Sequence, residues 1–587
     1  MKSSLPIYLN RAESSETHQT SHGRLCLSRS QMVDLTLTAV LFLVALVPRW
    51  LLLHRLDLVT DESVYVPVGR LDVSLLAHGQ FFSPSWLINY EAPPLPKLFM
   101  GLATALAGFS QPSYAMVQAA RIPGALVSAL ALALLYPLGK PIYDRWPALL
   151  GALCLALSPW YSYFSSIAYL DIYAASFINL AFLLVWYAPR RPKLYLLAGA
   201  LLGLGFASKY TAALALPGIA VFLYYRYRLV ERARPPWRML GLGALAGLAA
   251  MYLADPAIWA NPVVRLAESI GFQFEHAETG HQTFFAGSYG GHVPPGAVFL
   301  ILLVKMSLFV VIPALLFLLW AAWRLAGRGK AQRVEALPLA FSFCWLGGLL
   351  LPFSFLSIVV GTHYMLPLAA PVCLVGACAL VQALGWLAIK TATTSSWLSI
   401  RPSPAFLASN VSTPNRMPAQ VKADTPSRPL LSRLCLARAF VLAIAAVALV
   451  LPHTLGLIST PDAEGYTSEQ FSSENGVLQV AYPGYADAVV WLHAHAHTSG
   501  TVGLVSLPHA LDYWVQARQD LQTNALPLAP VTPDEVAGYT YLVWPMHLIQ
   551  RGYAPPAAWQ GKIVHAIKGG ATIYCYILAA SPASVGP

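Results

Sequence analysis

Apolar runs of roughly 15 to 25 residues alternate along this chain with short polar segments, and arginine and lysine gather in every second segment. A helix rises about 1.5 Å per residue, so about 20 apolar residues cross the hydrocarbon core of a bilayer. Segments 33–53, 122–138, 147–167, 172–187, 194–207, 211–225, 239–254, 297–323, 337–357, 365–389 and 440–458 meet or approach that length, which predicts about 11 spans. Segment 94–109 is apolar but short, as suits a juxtamembrane or re-entrant helix.

Charge then orients the spans. Arg24 and Arg29, Lys140 and Arg145, Arg190, Arg191 and Lys193, the group from Arg226 to Arg238, and Arg324 to Arg333 all fall on one side once the spans are threaded. The positive-inside rule makes that side cytosolic. The N-terminus is then inside, and segments 54–121 and 255–295 and the C-terminus are outside. Residues 1–32 and 391–435 are polar and lack an apolar period, so each reads as a disordered cytosolic segment, and 1–32 has no early apolar core of a signal peptide.

From residue 459 the pattern becomes that of a soluble domain. A helix over 484–497, strands over 501–507 and 539–543, and a hairpin formed by 562–567 and 571–578 about Gly569-Gly570 predict a small extracytoplasmic α/β domain over 459–587. The expected fold is an all-α polytopic membrane module over 33–390, a further span within 436–458, and this cap.

Composition agrees with that pattern: 57% of the 587 residues are hydrophobic and 11% charged, and the mean hydropathy is +0.57. The net charge of +11 lies in clusters between spans, not on one basic face, which argues against nucleic acid as partner. Four of the seven cysteines (Cys154, Cys344, Cys373, Cys378) lie in apolar spans, and no disulfide framework or metal-type pair is visible. Gly199 and Gly203, and Gly243 and Gly247, have the four-residue spacing that lets helices pack closely in lipid.

Chemistry concentrates at the outer ends of the spans, where ionisable groups are costly and so are functional candidates. Asp61 and Glu62 follow Thr60 and either begin a helix, favoured by its positive end, or supply a general base. Arg121 and Lys209 either snorkel to headgroups or bind a phosphate. Lys305 lies deeper and needs an acid or a phosphate as partner. Glu91 and His276 offer oxygen and nitrogen ligands for a metal, or are a surface acid and a loop histidine. His493, His495 and His497 do not share one helix face and read as surface residues.

These residues sit within motifs that resemble glycosyltransferase family 39, the protein O-mannosyltransferases and related bacterial enzymes. The motifs are Asp61-Glu62 after the first span, Tyr90-Glu91-Ala92-Pro93-Pro94-Leu95-Pro96-Lys97, and Ala120-Arg121-Ile122-Pro123-Gly124. Ser158-Pro159, Tyr169-Leu170-Asp171, the run from Gly203 to Lys209, and Tyr364-Met365-Leu366-Pro367 follow in order. The resemblance covers roughly residues 35 to 390. It implies the GT-C fold and an inverting transfer of a sugar from a polyprenyl-phosphate donor to a protein, lipid or glycan acceptor on the outer face.

By position it makes Asp61 the general base, with Glu62 beside it as the second catalytic candidate. It sets Lys209 and Arg121 near the donor phosphate, for which Lys97 and Lys305 are further candidates, and Glu91 and His276 near a divalent metal; Asp171, His363 and Tyr364 are the substrate-binding candidates. Ala92, where relatives carry His or Lys, and His363, where many carry Arg, depart from the pattern. No glycine cluster is followed by the Lys-Ser or Lys-Thr of a phosphate loop, so no nucleotide cofactor is expected. A transporter or flippase would instead need midplane charges and paired broken helices, and an inactive transferase-like scaffold would bind neither lipid phosphate nor metal.

Overall fold

The structure is a computed structural model that describes residues 28–586 except 60, 328–335, 358–360, 398–427, 461, 508–510 and 582–583. The tail over 1–27, most of the loop over 391–435, and Thr60 therefore lie outside the described residues. Within them the chain is a multi-pass membrane protein, mostly helical, with a small C-terminal sheet.

Helix α1 (Arg29–Arg55) starts earlier than its apolar run because Ser28 and Gln31 form a reciprocal capping box. After it come α2 (Glu62–Ala77), α3 (Leu95–Leu106) and α4 (Tyr114–Tyr143). Helices α5 (Arg145–Ala156) and α6 (Pro159–Ser166) meet at 57°, the bend of a broken span or a re-entrant loop. The break falls where Ser158 caps α6 and Pro159 occupies its first turn. Then follow α7 (Asp171–Tyr187), α8 (Leu194–Phe206), α9 (Leu216–Tyr224), α10 (Trp237–Ala254) and α11 (Pro262–Thr279).

Among the described residues six helices have the length and composition of spans, or seven if the bent pair is one span. The expected spans over 172–187, 194–207 and 337–357 appear as shorter apolar helices, which neighbouring helices rather than lipid enclose most fully in α7. The glycine pairs act as expected. A Cβ on Gly199 would stand 1.9 Å from the Gly243 carbonyl oxygen, and one on Gly203 would stand 2.0 Å from that of Gly247, so α8 and α10 touch backbone to backbone.

Segment 297–323 corrects the sequence reading. It is two helices, α12 (Ala297–Lys305) and α13 (Leu308–Ala326), separated by extended Met306. The physical cause lies in the C-terminal region: Glu474 draws the Lys305 ammonium to 2.6 Å. Glu469 accepts from the Ser307 hydroxyl and the Leu308 amide, which starts α13 afresh. The short α14 (Leu337–Ser342) and α15 (Gly348–Phe353) precede α16 (Leu366–Trp397) and α17 (Arg428–Ser459). Both α16 and α17 extend into the segment read from the sequence as an unstructured loop, so its ends are helical.

In the C-terminal region α18 (Tyr485–His495) packs on a five-stranded sheet. Along the chain its strands are β3 (Val502–Val505), β4 (Leu528–Val531), β5 (Tyr541–Pro545), β6 (Ile563–Gly569) and β7 (Thr572–Ala579), numbered after a small hairpin of β1 (Thr283–Phe285) and β2 (Ser288–Gly290). The spatial order is β4-β3-β5-β7-β6, with β3 parallel to both neighbours and the β6–β7 hairpin antiparallel. Strand β4 is absent from the sequence reading, because Pro527 and Pro530 mask an edge strand. Helices α19 (Asp512–Ala517) and α20 (Met546–Gln550) cover the sheet.

Two joints fix the sheet to the membrane helices. Asp57, just after α1, accepts from the Trp514 indole at 3.0 Å, an Arg518 nitrogen at 3.1 Å and the Ala486 amide at 2.8 Å. The second joint is Lys305 with Glu474. The start of α2, the turn before α7 and the turn before α16 therefore all lie on the face that carries the sheet. Asp34, Lys140 and Arg145 join α1, α4 and α5 at the opposite face.

Candidate active site

Asp61 is the residue just before α2, yet its side chain makes no capping bond to that helix. Glu62, the first residue of α2, turns its carboxylate back to the Val59 amide at 3.1 Å. Asp61 instead receives a hydrogen bond from the Tyr169 hydroxyl, in the turn between α6 and α7. Burial raises the Asp61 pKa above the usual aspartate value, while Tyr169 and the nearby Lys209 ammonium act against that rise. The residue as a whole keeps partial exposure. Its carboxylate is more basic than that of a surface aspartate.

Around it, four further side chains converge from three elements. Asp171, first residue of α7, pairs with Lys209 from the turn after α8. The Lys209 ammonium also lies 3.8 Å from the centre of the Tyr364 ring, a cation–π contact. Burial alone would lower the Lys209 pKa; Asp171 and Tyr364 more than offset it. His363 packs edge-on against Tyr169 at 5.1 Å, and Tyr65 of α2 does so from the other side at 6.0 Å. The structure therefore brings together Asp61, Asp171, Lys209, His363 and Tyr364.

Other expected members stand apart. Glu62 and Arg121 form a fully buried ion pair, with both carboxylate oxygens on the guanidinium at 2.6 and 2.7 Å. Arg121 also donates to the carbonyls of Leu53, Leu56 and Asp57, and Glu62 accepts the Ala168 amide at 2.7 Å. Every donor that Arg121 offers is engaged, so it is a clamp between α1, α2 and α4 rather than a cation for a donor phosphate. Lys305 is likewise neutralised by Glu474, away from Asp61. Lys97 turns inward and donates to the Asn89 and Ala92 carbonyls and the Asn89 side chain.

The metal candidates do not assemble a ligand set. Glu91 is hydrogen-bonded by the Asn89 amide group. Helix α11 lies along this loop, with Ser269 and Gln273 donating to the Tyr90 and Glu91 carbonyls. His276, a turn farther on, stacks on Phe272 and meets His281 edge-on at 5.4 Å. Among the described residues no three His, Cys, Asp or Glu side chains gather as metal ligands would.

Sequence reasoning missed Tyr65 and Tyr169 as neighbours of the acid, and it missed Arg551 from the C-terminal region, whose charge interacts with Asp61. Tyr169 lay within a motif and could have been found there. Arg551 carries no local signal.

The chain is similar to known proteins over part of its length. Residues 91–253 match the family model described as dolichyl-phosphate-mannose-protein mannosyltransferase, so the resemblance to glycosyltransferase family 39 stands over that stretch. A curated relative from Sodalis glossinidius, undecaprenyl phosphate-alpha-4-amino-4-deoxy-L-arabinose arabinosyl transferase 1, is 30% identical over 328 residues. That match takes in 54% of this chain and 53% of the relative, so the chain spans about half the length of the curated relative it matches. Among solved structures, ArnT from Cupriavidus metallidurans bound to undecaprenyl phosphate is similar at TM-score 0.48 and 16% identity, covering 95% of this chain and 100% of that one. The oligosaccharyltransferase AglB from Archaeoglobus fulgidus, in complex with an inhibitory peptide and a dolichol-phosphate, gives 0.49 and 13%, covering 89% and 70%.

Proposed function

We propose that this protein is a membrane glycosyltransferase that moves a sugar from a polyprenyl-phosphate donor to an acceptor hydroxyl, with Asp61 as general base. The observation that carries the reading is the environment of Asp61: a carboxylate made more basic by burial, free of helix capping, and backed by the Tyr169 hydroxyl. The match to mannosyltransferases that use a lipid-phosphate sugar, and the relative named for undecaprenyl-phosphate aminoarabinose, support the donor class.

The reaction follows from that placement. Asp61 takes the proton of the acceptor hydroxyl as its oxygen attacks the anomeric carbon. The bond from that carbon to the phosphate oxygen breaks on the opposite side, its electron pair leaves with the lipid phosphate, and the configuration inverts. A lipid-phosphate donor brings its own leaving group to headgroup height, so a nucleotide loop has no task. The Asp171–Lys209–Tyr364 group frames the substrate side of Asp61 and holds Lys209 in one position.

Orientation belongs to the same proposal. The clusters around Lys140, Arg191, Arg228 and Arg324 mark the cytosolic face by the positive-inside rule, so Asp61 and the sheet lie outside, in a plasma (inner) membrane. The acceptor is then a protein, lipid or glycan of the outer compartment.

The test is transfer from a synthetic undecaprenyl-phosphate sugar in proteoliposomes. Mass spectrometry of glycoconjugates from cells with and without the gene identifies sugar and acceptor together. Asp61→Asn is expected to slow transfer by about a hundredfold or more. A wild-type rate in that variant, properly inserted, overturns the base. It would instead point to an acceptor phosphate, which is already deprotonated and needs no base.

A further inference from the structure

Helix α13 starts at a break, so the amide of Ser307, just before it, has no helical partner. That amide donates instead to the Nε2 of His453 in α17, at 3.2 Å. A backbone amide only donates, so Nε2 is the bare nitrogen of a neutral imidazole and the ring hydrogen sits on Nδ1. Nδ1 lies 3.2 Å from the sulfur of Cys154 in α5. The ring hydrogen is therefore aimed at Cys154.

A second hydrogen reaches the same sulfur. Cys373 of α16, distant by 219 residues, places its thiol 3.8 Å from Cys154 and is the donor of the pair. One turn before Cys154 the two backbones touch: a Cβ on Gly151 would stand 2.8 Å from the Leu374 Cα and 2.9 Å from the Cys373 carbonyl oxygen. Cys154, Cys373 and His453 have no exposed surface, and none of them belongs to the Asp61 group. Buried cysteines serve most often as small apolar packing, but here two separate donors converge on one of them.

A cavity of about 320 Å³ lies beside this group, where Pro452 and Gly456 of α17 meet Glu469 and Ser472 of the C-terminal region. Tyr466 stands in its wall and packs edge-on against His453 at 6.0 Å. A solute of the size of peroxide in that cavity is two side chains, Tyr466 and His453, from the Cys154 sulfur. The thiolate is the form of cysteine that attacks such a solute. With hydrogens from His453 and Cys373 both directed to it, Cys154 is the sulfur placed to attack, and Cys373 the one placed to resolve.

We propose that Cys154 and Cys373 form a redox modification site for hydrogen peroxide, in which Cys154 is oxidised and Cys373 then closes a disulfide between α5 and α16. Cys154 attacks one peroxide oxygen and the O–O bond breaks. Its electron pair leaves with the other oxygen, which takes up the thiol proton and departs as water, and a sulfenic acid remains. The Cys373 sulfur displaces that hydroxyl, which leaves as water with the Cys373 proton. Two thiols and one peroxide thus give one disulfide and two waters. Helix α5 leads through the break to Tyr169, and α16 begins directly after His363 and Tyr364, so the oxidised form ties together two elements that frame Asp61. The site does not depend on the function proposed above.

Full-length protein in nanodiscs tests this. It is treated with hydrogen peroxide, denatured in N-ethylmaleimide, digested and analysed by mass spectrometry. The expected product is a linked Cys154–Cys373 peptide that dithiothreitol releases, with Cys344 and Cys378 alkylated. Alkylation of both Cys154 and Cys373 after peroxide, with no linked peptide, overturns the site and leaves the pair as packing. This measurement needs no substitution, so it decides the matter even where a variant does not fold. Two variants test the order of events. Cys373→Ser has no resolving thiol, so denaturation in dimedone should trap a sulfenic acid on Cys154. In Cys154→Ser the same label on Cys373 should be lower by about tenfold or more. Equal labelling in the two variants, or more on Cys373, overturns the assignment of Cys154 as the attacking sulfur.

Discussion

The Arg121 guanidinium lies 2.6 Å from the Glu62 carboxylate with no exposed surface on either side chain. It binds the end of α1 through three carbonyls, while Glu62 holds the Ala168 amide beside Tyr169. Asp61 and its hydroxyl partner are thus set by one ion pair. Glu62→Gln leaves the Arg121 charge buried and short of its counter-ion, which should cost about 3 to 5 kcal/mol of stability. Thermal unfolding in detergent is the measurement, and a melting temperature equal to wild type would show the pair to be dispensable.

Tyr169 offers a second handle, because its hydroxyl acts against the burial that raises the Asp61 pKa. In Tyr169→Phe that opposition is lost and the aspartate becomes more basic still. A base works only when ionised, so activity falls as pH drops through its pKa. The acid limb of kcat/KM against pH should therefore lie above the usual aspartate range in wild type and move to higher pH in Tyr169→Phe. A shift toward lower pH would contradict the assigned hydrogen bond.

Legibility in the sequence followed the distance over which each cause acts. Apolar length and charge located the helices, and the spacing of Gly199 with Gly203 announced the α8–α10 contact, since both signals are local. The motifs brought Asp61, Asp171, Lys209 and His363 to one face because topology alone decides that face. What stayed hidden depended on partners far along the chain. Lys305 meets Glu474 and so breaks a run that looks continuous, Arg121 is saturated by Glu62, and Arg551 comes from the C-terminal region. Apolar periodicity says nothing about which charges cancel.

Close packing of α2 on α3 gives a prediction independent of charge. A Cβ on Gly101 would stand 1.9 Å from the Gly69 carbonyl oxygen, a backbone atom that cannot yield locally. Gly101→Ala must push the two helices apart, and α2 carries Tyr65 and follows directly on Asp61. A loss of about 1 to 3 kcal/mol is expected from overpacking, with transfer activity reduced as well. Gly271, where a Cβ meets nothing within 4 Å, serves as the control: Gly271→Ala should leave the melting temperature and the activity at wild-type values.

The joint at Asp57 should make the docking of the sheet depend on pH. Burial pushes the Asp57 pKa from 3.8 to about 6, with Arg518 and the amides of Ala486 and Leu58 acting against it. A folded-state pKa above the unfolded value means that the folded protein holds the proton more tightly. The stabilisation it brings is complete below about 3.8 and is lost as pH rises through about 6. Proteolysis of the C-terminal region should therefore quicken between those values in wild type, apart from the slopes of other groups. Asp57→Asn removes the titration and should flatten that window. Its single oxygen can keep Trp514 and the Leu58 amide but leaves the Ala486 amide, which bonds the other carboxylate oxygen, facing an NH2 group, so the variant should also be cleaved faster than wild type throughout. A pH slope in Asp57→Asn identical to wild type would assign the dependence to another residue.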